Sequence, residues 1–339
     1  METLVSDYLG ELIGPFVDPQ KRVFIGYLGA ALVIALSVQL IGSRATLRQA
    51  VRDLFARRVW ISASALGDYK ILLINQAVMM GVAPRLITKL ALATLLFEAL
   101  HVWFDGRTIL WPAAPAWMIA GLFTLCLFLL DDAAKYLVHR ALHRVPLLWC
   151  FHRVHHTAET LTPLTVYRTH PVEAVIFALR SVLVQAIAVA GFLYFFGGRA
   201  ELVTILGANV FLFLFNVAGS NLRHSHVWIS YGRIIERLLI SPAQHQIHHS
   251  LERRHHDRNF GAVLAIWDWM GGSLCLAERG RAFSFGVDDG TAPRHDLKSL
   301  YLTPFADAAR ILMRILTSGM SSMTGSFLFR RRRRSVVGG

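Results

Sequence analysis

Long apolar segments constrain this chain more than any other feature, because a helix needs about 20 apolar residues to cross a bilayer. Hydrophobic residues make up 54% of the 339 residues and charged residues 17%, a balance that argues against two ordinary soluble domains. A shorter apolar segment, 71–82, is expected to be re-entrant or interfacial. The segments long enough to span are 23–41, roughly 86–104, 117–138, 172–196 and 202–218. The sequence therefore predicts an all-α, polytopic integral membrane protein.

The distribution of positive charge predicts how these segments are oriented. The segment 43–70 carries six basic residues, whereas the short connections at 105–112 and 197–201 carry one arginine each. Because positively charged loops tend to stay in the cytoplasm, we expect segment 43–70 to be cytoplasmic and the two connections to lie on the opposite side. The alternation of five spans then brings both histidine-rich segments, 139–170 and 224–256, to the cytoplasmic side.

The cysteines and the net charge of +13 exclude some classes of protein. Cys126, Cys150 and Cys275 lie far apart and form no CxxC pair, so neither a disulfide framework nor a thiolate metal site is expected. The basic residues flank apolar segments or form a terminal run, 330–334, without a nucleic-acid motif around them. Anionic lipid headgroups are therefore the expected partners of this charge, and nucleic acid is not.

Histidines are concentrated in one part of the chain, since all of the 15 except His101 and His295 lie within residues 139–256. Three clusters have helical spacing: a pair at i and i+4, and two triplets at i, i+3 and i+4. Their eight imidazoles exceed what one ion coordinates, so two ions are implied, and Fe, Zn, Cu and Ni all suit neutral imidazole. The clusters are His139 and His143; His152, His155 and His156; and His245, His248 and His249.

Further histidines near these clusters are candidates for the same site. His224 follows the last apolar segment and is expected to be a ligand. His226, two residues further on, does not share a helical face with it and could instead be a neighbour of the ligands or a surface residue. The same alternatives, metal ligand or supporting residue, are open for His170, His255 and His256.

The residues around the clusters form a specific pattern over about residues 131–277. The pattern reads Asp132-x3-Tyr136-x2-His139-Arg140-x2-His143, Pro146-x2-Trp149, His152-x2-His155-His156 and Arg168-x-His170-Pro171-x-Glu173, then Ser241-Pro242-x2-His245-x2-His248-His249, Asp257-x-Asn259-Phe260-Gly261 and Trp267-Asp268. This arrangement of three histidine boxes with their flanking residues resembles the fatty acid hydroxylase and sterol desaturase superfamily of integral-membrane di-iron enzymes.

The resemblance implies a helical-hairpin transmembrane base that carries a cytosolic, histidine-rich helical cap. It also implies two iron ions as cofactor, O2 as co-substrate, and ligation by the eight box histidines together with His224. His226 stands where many relatives carry asparagine, which leaves its role open. Asp132, Asn259 and Asp268 are weaker candidates, either as ligands or as neighbours that orient an imidazole through its second nitrogen, with helix capping or an ion pair as the alternative.

Three regions are expected along the chain. Residues 1–130 would form an N-terminal transmembrane region with the basic loop, and residues 131–277 the catalytic region that carries the resemblance. Residues 278–339 would add an amphipathic helix, opened by Thr303 and Pro304, and an arginine-rich tail. We expect this helix to lie at the membrane interface.

An enzyme of this kind would hydroxylate or desaturate a lipid such as a sterol or a fatty acyl chain, and the sequence indicates neither which lipid nor which of the two reactions. Oxygen activation needs external electrons, and the sequence shows no haem domain, flavin motif or GxGxxG. A separate donor is therefore expected, either a ferredoxin or a b-type cytochrome with its reductase.

Two other functions are compatible with clustered histidines. A membrane zinc-dependent lipid hydrolase would normally show an HExxH motif, and this sequence has none. A metal or proton transporter would need polar ligands within its spans, whereas these clusters lie at the ends of the apolar segments. A lipid hydroxylase or desaturase is thus the leading hypothesis, with the zinc-dependent hydrolase as the alternative.

Overall fold

The computed structural model describes residues 2–106, 109–278, 284–288 and 295–332. Within these ranges the strands are limited to one antiparallel hairpin, β1 (Thr204–Ile205) and β2 (Ala208–Asn209). The α-helices are α1 (Glu2–Val17), α2 (Ile25–Ser37), α3 (Leu47–Leu54), α4 (Arg57–Trp60), α5 (Ala63–Val82), α6 (Lys89–Trp103), α7 (Ala116–Arg144), α8 (Pro146–His156), α9 (Pro171–Phe196), α10 (Val210–Val217), α11 (Gly232–Ile235), α12 (Pro242–His248), α13 (Ile266–Met270) and α14 (Thr303–Arg332). Shorter helical turns form at Val38–Gly42, Ala83–Arg85, Pro163–Tyr167, Gly197–Arg199, Ser220–Arg223, Arg253–His255 and Lys298–Leu302.

Helical segments long and apolar enough to cross a membrane confirm the prediction of an all-α, polytopic membrane protein. One of them joins α5 and α6 across the turn at Ala83–Arg85, so the predicted interfacial segment, 71–82, is the second half of a 20-residue helix rather than a separate piece. The described residues contain four such segments: Ile25–Gly42, Ala63–Trp103, Ala116–Arg144 and Pro171–Arg199.

The prediction of a fifth span at 202–218 is wrong. Leu206 and Gly207 have positive φ angles of 50° and 79°, and they turn the chain between β1 and β2. The next helix, α10, has 8 residues and is about 12 Å long, less than half the thickness of the hydrocarbon core. Asn209 fixes its start, because the side-chain oxygen accepts a hydrogen bond from the Phe211 amide at 3.0 Å.

The chain nevertheless returns toward the histidines alongside α7. The amide of Val203 donates to the Thr124 hydroxyl at 2.8 Å, and Phe215 packs in a cluster with Phe128 further along α7. Beyond this point the turn at Ser220–Arg223 leads into the second histidine-rich segment. Both histidine-rich segments therefore meet at one end of the helices, although the predicted alternation of five spans is incorrect.

Helices α7 and α9 form the frame of the site. Their packing includes an ion pair between Arg180 and Asp131 at 2.7 Å. At the end away from the histidines, Leu110 donates its amide to the Phe195 carbonyl at 2.7 Å. Helix α7 has 29 residues and is about 44 Å long, which exceeds a hydrocarbon core of about 30 Å. Its last turns can therefore carry His139 and His143 beyond the membrane.

The C-terminal helix, α14, begins at Thr303 and packs on α8. Ala308 lies in a buried cluster with Cys150 and Phe151, and the Phe305 ring is 5.3 Å from the Phe151 ring. Side chains further along, such as Leu312, are exposed. Ala308 of the predicted amphipathic face is thus buried against α8, and Arg333 and Arg334 of the arginine run lie outside the described residues.

Candidate metal centre

Two groups of histidines converge where α7, α8 and α12 meet. Within each group the potential ligand atoms all lie within 4.8 Å of one another. The five-histidine group comprises His139, His143, His152, His156 and His248, and the four-histidine group comprises His155, His224, His245 and His249. Each group takes residues from both halves of the chain, and together they contain the nine histidines for which the sequence predicted metal binding.

The helical spacing explains how α8 and α12 serve both groups. On α8, His152 and His156 are four residues apart and enter the five-histidine group, while His155 points to the other group. On α12 the arrangement is reversed, since His245 and its i+4 neighbour enter the four-histidine group and His248 enters the five-histidine group. Each of the two short helices therefore lies between the two groups.

Helix α12 is short, and polar contacts fix its position. The Ser241 hydroxyl accepts a hydrogen bond from the Gln244 amide at 3.1 Å, while the Gln244 side chain accepts one from the Ser241 amide at 2.9 Å. Such a capping box satisfies two of the free donors at a helix start. The carboxylate of Glu236 also accepts from the Ser241 hydroxyl at 2.8 Å. His245 and His248 are thereby held on a helix with a defined first turn.

Backbone carbonyls orient several of the imidazoles. The Nδ1 atoms of His139, His248 and His155 lie 2.8, 2.7 and 3.2 Å from the carbonyl oxygens of residues 260, 258 and 168. A carbonyl oxygen can only accept, so each Nδ1 carries the hydrogen and the Nε2 lone pair remains for a metal ion. The surrounding loops therefore select the tautomer that ligation requires.

Buried nitrogens without partners show that the two groups fit metal ions. In the five-histidine group, the Nε2 atoms of four members are buried and make no hydrogen bond to the described residues: His143, His152, His156 and His248. In the four-histidine group, both ring nitrogens of His249 and Nδ1 of His245 are likewise buried and make no hydrogen bond to the described residues. An unsatisfied buried polar atom costs about 1–3 kcal/mol, which coordination would offset. The all-imidazole donor set suits iron, zinc, copper or nickel.

Burial keeps these imidazoles neutral. It lowers the pKa of His152 from 6.5 to about 3 and, together with the charge of His152, that of His155 to about 4. Burial followed by neighbouring imidazoles places the pKa well below the usual value in His156, His245, His248 and His249. In His224 burial followed by the charge of Arg22 has the same effect on the pKa. Neutral imidazole is the form that binds metal, so the site is ready for ligation at pH 7.

Four weaker histidine candidates lie outside both groups. His170 caps α9, where Nδ1 accepts from the Val172 amide at 3.2 Å and Nε2 donates to the Tyr301 carbonyl at 3.2 Å. His255 is buried and bonded to the Ser250 hydroxyl at 3.0 Å. His226 and His256 are exposed.

The weaker carboxylate and amide candidates contact backbone groups rather than imidazoles. Asp268 accepts hydrogen bonds from the amides of Phe260 and Gly261 at 2.8 and 2.7 Å. Asp132 likewise accepts from the amides of residues 263 and 264 at 3.0 and 2.9 Å, and Asn259 donates to the carbonyl of residue 244 at 3.0 Å. The expected contact of Asp132 and Asp268 with an imidazole is therefore replaced by a contact with the loop, because this non-helical loop has amides that need acceptors.

These contacts still influence the site indirectly. Asp268 holds the amide of Phe260, and the carbonyl of the same residue accepts the hydrogen bond from His139.

Two charged residues near the histidines had no role assigned from the sequence. Glu173, in the first turn of α9, lies 2.9 Å from Nδ1 of His152, and Arg22, just before α2, lies 3.4 Å from Nδ1 of His224. The signal for Glu173 was an acidic residue at the start of an apolar helix.

Comparison with known proteins identifies this region. Residues 124–273 match the model of the family described as fatty acid hydroxylase. This matched region, which is less than half of the chain, resembles the fatty acid hydroxylase and sterol desaturase superfamily. The match spans α7 to α13 and includes all nine histidines of the two groups. The resemblance predicted from the histidine boxes is thereby confirmed.

Curated relatives carry the same region. A very-long-chain aldehyde decarbonylase of Oryza sativa is 29% identical over 52% of this chain and 28% of its own length. The alkylglycerol monooxygenases of Danio rerio and Homo sapiens are each 26% identical over 57% of this chain and 39% of their own length. The chain thus matches less than half the length of these relatives. No solved structure matches it.

The match, with alkylglycerol monooxygenases among the relatives, supports a lipid-modifying, oxygenase-type family for the matched region. The described residues include four helical segments that could span a membrane, and the two histidine groups could bind metal. The candidate ligands come from the part of the chain that carries the family match.

Proposed function

We propose that this protein is an O2-dependent di-iron oxidoreductase that hydroxylates or desaturates a lipid. The observation that carries the proposal is the convergence of nine histidines in two adjacent groups at one end of apolar helices. Neither group includes an Asp or Glu among the described residues. Such an all-imidazole pair of sites differs from a hydrolytic zinc site, which normally places a carboxylate base beside the metal.

The protein's own residues would hold and shield the metal pair. His139 and His143 would present Nε2 atoms from the end of α7, while α8 and α12 would supply the remaining box ligands. Iron bound there would supply the activation of O2 for oxidation of a C–H bond. Burial of the imidazoles would exclude water from the site. A lipid chain could reach it from the bilayer, because α7 and α9 continue from the site into the apolar spans.

Electrons would come from a separate protein, either a ferredoxin or a b-type cytochrome with its reductase. Exposed basic side chains such as Arg144 and Arg254 surround the histidine end and suit an acidic carrier. Electrostatic docking of this kind slows as salt rises. Turnover that stays constant from about 20 to 500 mM salt would argue against this part of the proposal.

The histidine groups would face the cytoplasm. Leu54, from the basic segment 43–70, packs in a buried cluster with Leu222 and Val227, which flank His224. The positively charged segment and the histidines therefore lie at the same end of the helices, and the positive-inside rule applies to both. The family match supports the proposed catalytic region, 131–277, while Arg22 shows that the preceding region also reaches the site.

Metal analysis of the purified protein, combined with lipid analysis, tests the proposed function. Protein from iron-replete cells should contain about two iron ions per chain. Lipid extracts from cells with and without the gene should differ by products that have gained one oxygen atom or lost two hydrogen atoms. Zinc alone in the protein, together with a hydrolysed ester or amide among the lipids, would favour the zinc hydrolase instead.

A further inference from the structure

The two histidine groups differ in the residues that surround them. One offers five imidazoles and the other four, so two metal ions bound there would have unequal coordination. The residues that contact the outward ring nitrogens differ as well. Such partners matter because an acceptor on the outward N–H makes an imidazole a stronger ligand, and loss of the acceptor typically weakens metal binding 10–100-fold.

Acceptors are concentrated on the five-histidine group. Glu173 places a carboxylate oxygen 2.9 Å from Nδ1 of His152, and both side chains are almost fully buried, with exposures of 2% and 3%. His139 and His248 each donate to a backbone carbonyl, at 2.8 and 2.7 Å. A carboxylate is a stronger acceptor for an imidazole N–H than a backbone carbonyl oxygen. The outward nitrogens of three members of this group are therefore held by acceptors.

The four-histidine group is poorer in acceptors. Within the described part of the chain, His155 is the one member whose outward nitrogen reaches a carbonyl, at 3.2 Å. Nδ1 of His245 is buried without a partner. The nearest polar neighbour of Nδ1 on His224 is the guanidinium of Arg22, at 3.4 Å. Nε2 of His224 faces Nε2 of His245 at 2.9 Å. A metal ion bound by these two atoms would therefore leave Nδ1 of His224 facing the positively charged Arg22.

Positive charge is also concentrated on this side. Arg22 and Arg223 donate to the same acceptor, the Ser220 carbonyl, at 2.8 and 3.1 Å. Arg223 is buried, with an exposure of 7%, and its guanidinium lies over the Phe215 ring. No ion pair joins either arginine to a carboxylate among the described residues. Two guanidinium groups near His224 oppose the binding of a further cation.

We infer that the five-histidine group binds its metal ion more tightly than the four-histidine group, and that Glu173 and Arg22 are positioning residues that set this difference. The inference rests on the proposed two-metal site but not on the reaction. The ion in the four-histidine group is lost first, and its vacant position refills last.

Chelator titration of the full-length, metal-loaded protein in detergent tests this order. The metal that remains bound is measured as chelator rises, and half-stripped protein is examined by X-ray absorption to count the nitrogen ligands. The wild type should lose metal in two steps, and the half-stripped form should retain the five-nitrogen site. This measurement needs no variant and applies equally if the protein contains zinc, so it can succeed even if the proposed oxidation is wrong.

Two variants should change the chelator concentrations at which the two metal ions are lost, one lowering the concentration needed for the late step and the other raising that for the early step. Glu173→Gln replaces the carboxylate by a weaker amide acceptor and should weaken metal binding in the late step about tenfold, so that the two steps of metal loss move closer together. Arg22→Gln removes a positive charge and supplies an amide acceptor, so the early step should need roughly tenfold more chelator. Arg22→Lys keeps the charge and should resemble the wild type. Matched controls are Glu201→Gln, beyond the far end of α9, and Arg48→Gln on exposed α3.

Several outcomes would overturn the inference. One is a half-stripped wild type that retains the four-nitrogen site, and another is metal loss in a single step. If the late step occurs at the same chelator concentration in Glu173→Gln as in the wild type, the carboxylate does not set the metal affinity of the five-histidine group. A Glu173→Gln protein that fails to fold leaves the Arg22 pair and the wild-type ligand count to decide.

Discussion

The Asp68 carboxylate lies 2.8 Å from the Arg168 guanidinium, and both side chains are completely buried. Arg168 also donates to the Ser64 carbonyl at 3.0 Å, and its own backbone carbonyl accepts the hydrogen of His155. The ion pair therefore links α5 to the turn before α9 and, through the backbone, to one member of the four-histidine group. A contact 100 residues apart in sequence thus supports the site.

Asp68→Asn should destabilise the protein strongly. The substitution keeps the shape of the side chain but leaves the buried charge of Arg168 without its partner, a change that typically costs about 3–5 kcal/mol. The matched control is Asp307→Asn, which breaks a 2.6 Å ion pair to Arg310, a side chain that is 69% exposed. That pair should contribute about 0–1 kcal/mol. Thermal melting in detergent should show a much lower melting temperature for Asp68→Asn and little change for Asp307→Asn.

His248 and His255 provide a second matched comparison, since both are buried and lie seven residues apart. His248 belongs to the five-histidine group, whereas His255 bonds to the Ser250 hydroxyl outside both groups. His248→Ala should lose metal from one site and abolish lipid turnover, while His255→Ala should keep the full metal content. Elemental analysis of both proteins checks this, and full activity of His248→Ala would refute its role as a ligand.

The stability of the metal-free protein should fall as the pH decreases from about 6.5 to about 4. Burial lowers the pKa of His152 to about 3, and burial with the charge of His152 lowers that of His155 to about 4, whereas both would titrate near 6.5 in the unfolded chain. Between these values the unfolded chain binds protons that the folded protein does not, so the free energy of unfolding rises with pH. Above about pH 6.5 this contribution is fully present.

Melting temperatures measured from pH 4 to pH 8 check this dependence. His256→Gln, which changes an exposed histidine outside both groups, should leave the profile unchanged. A wild-type melting temperature that rises as the pH decreases would contradict the neutral, buried state of these imidazoles.

The convergence of the histidines could be predicted from sequence, but their division into two groups could not. Spacing at i, i+3 and i+4 indicates that His152, His155 and His156 lie on one side of a helix. Which of them faces which group depends on the rotation of α8 relative to α12, a property of tertiary packing. The same applies to Arg22, whose contact with His224 joins residues 202 positions apart.

Hydropathy predicted most of the membrane segments and failed where local backbone geometry decides. Residues 202–218 are apolar enough to span, but the turn at Leu206 and Gly207 limits the helix that follows to 8 residues. The packing of α14 on α8 was likewise not visible, because an amphipathic helix has the same pattern whether its apolar face meets lipid or protein.

Cysteine labelling tests the proposed cytoplasmic orientation. In a background that lacks Cys126, Cys150 and Cys275, His256→Cys places an exposed thiol at the histidine end, and Glu201→Cys places one beyond the far end of α9. Since the basic segment packs beside His224, a membrane-impermeant maleimide should label Glu201→Cys in intact cells and His256→Cys only after the membrane is permeabilised. The opposite pattern would place the histidines outside, where a cytoplasmic ferredoxin or cytochrome could not deliver electrons to them.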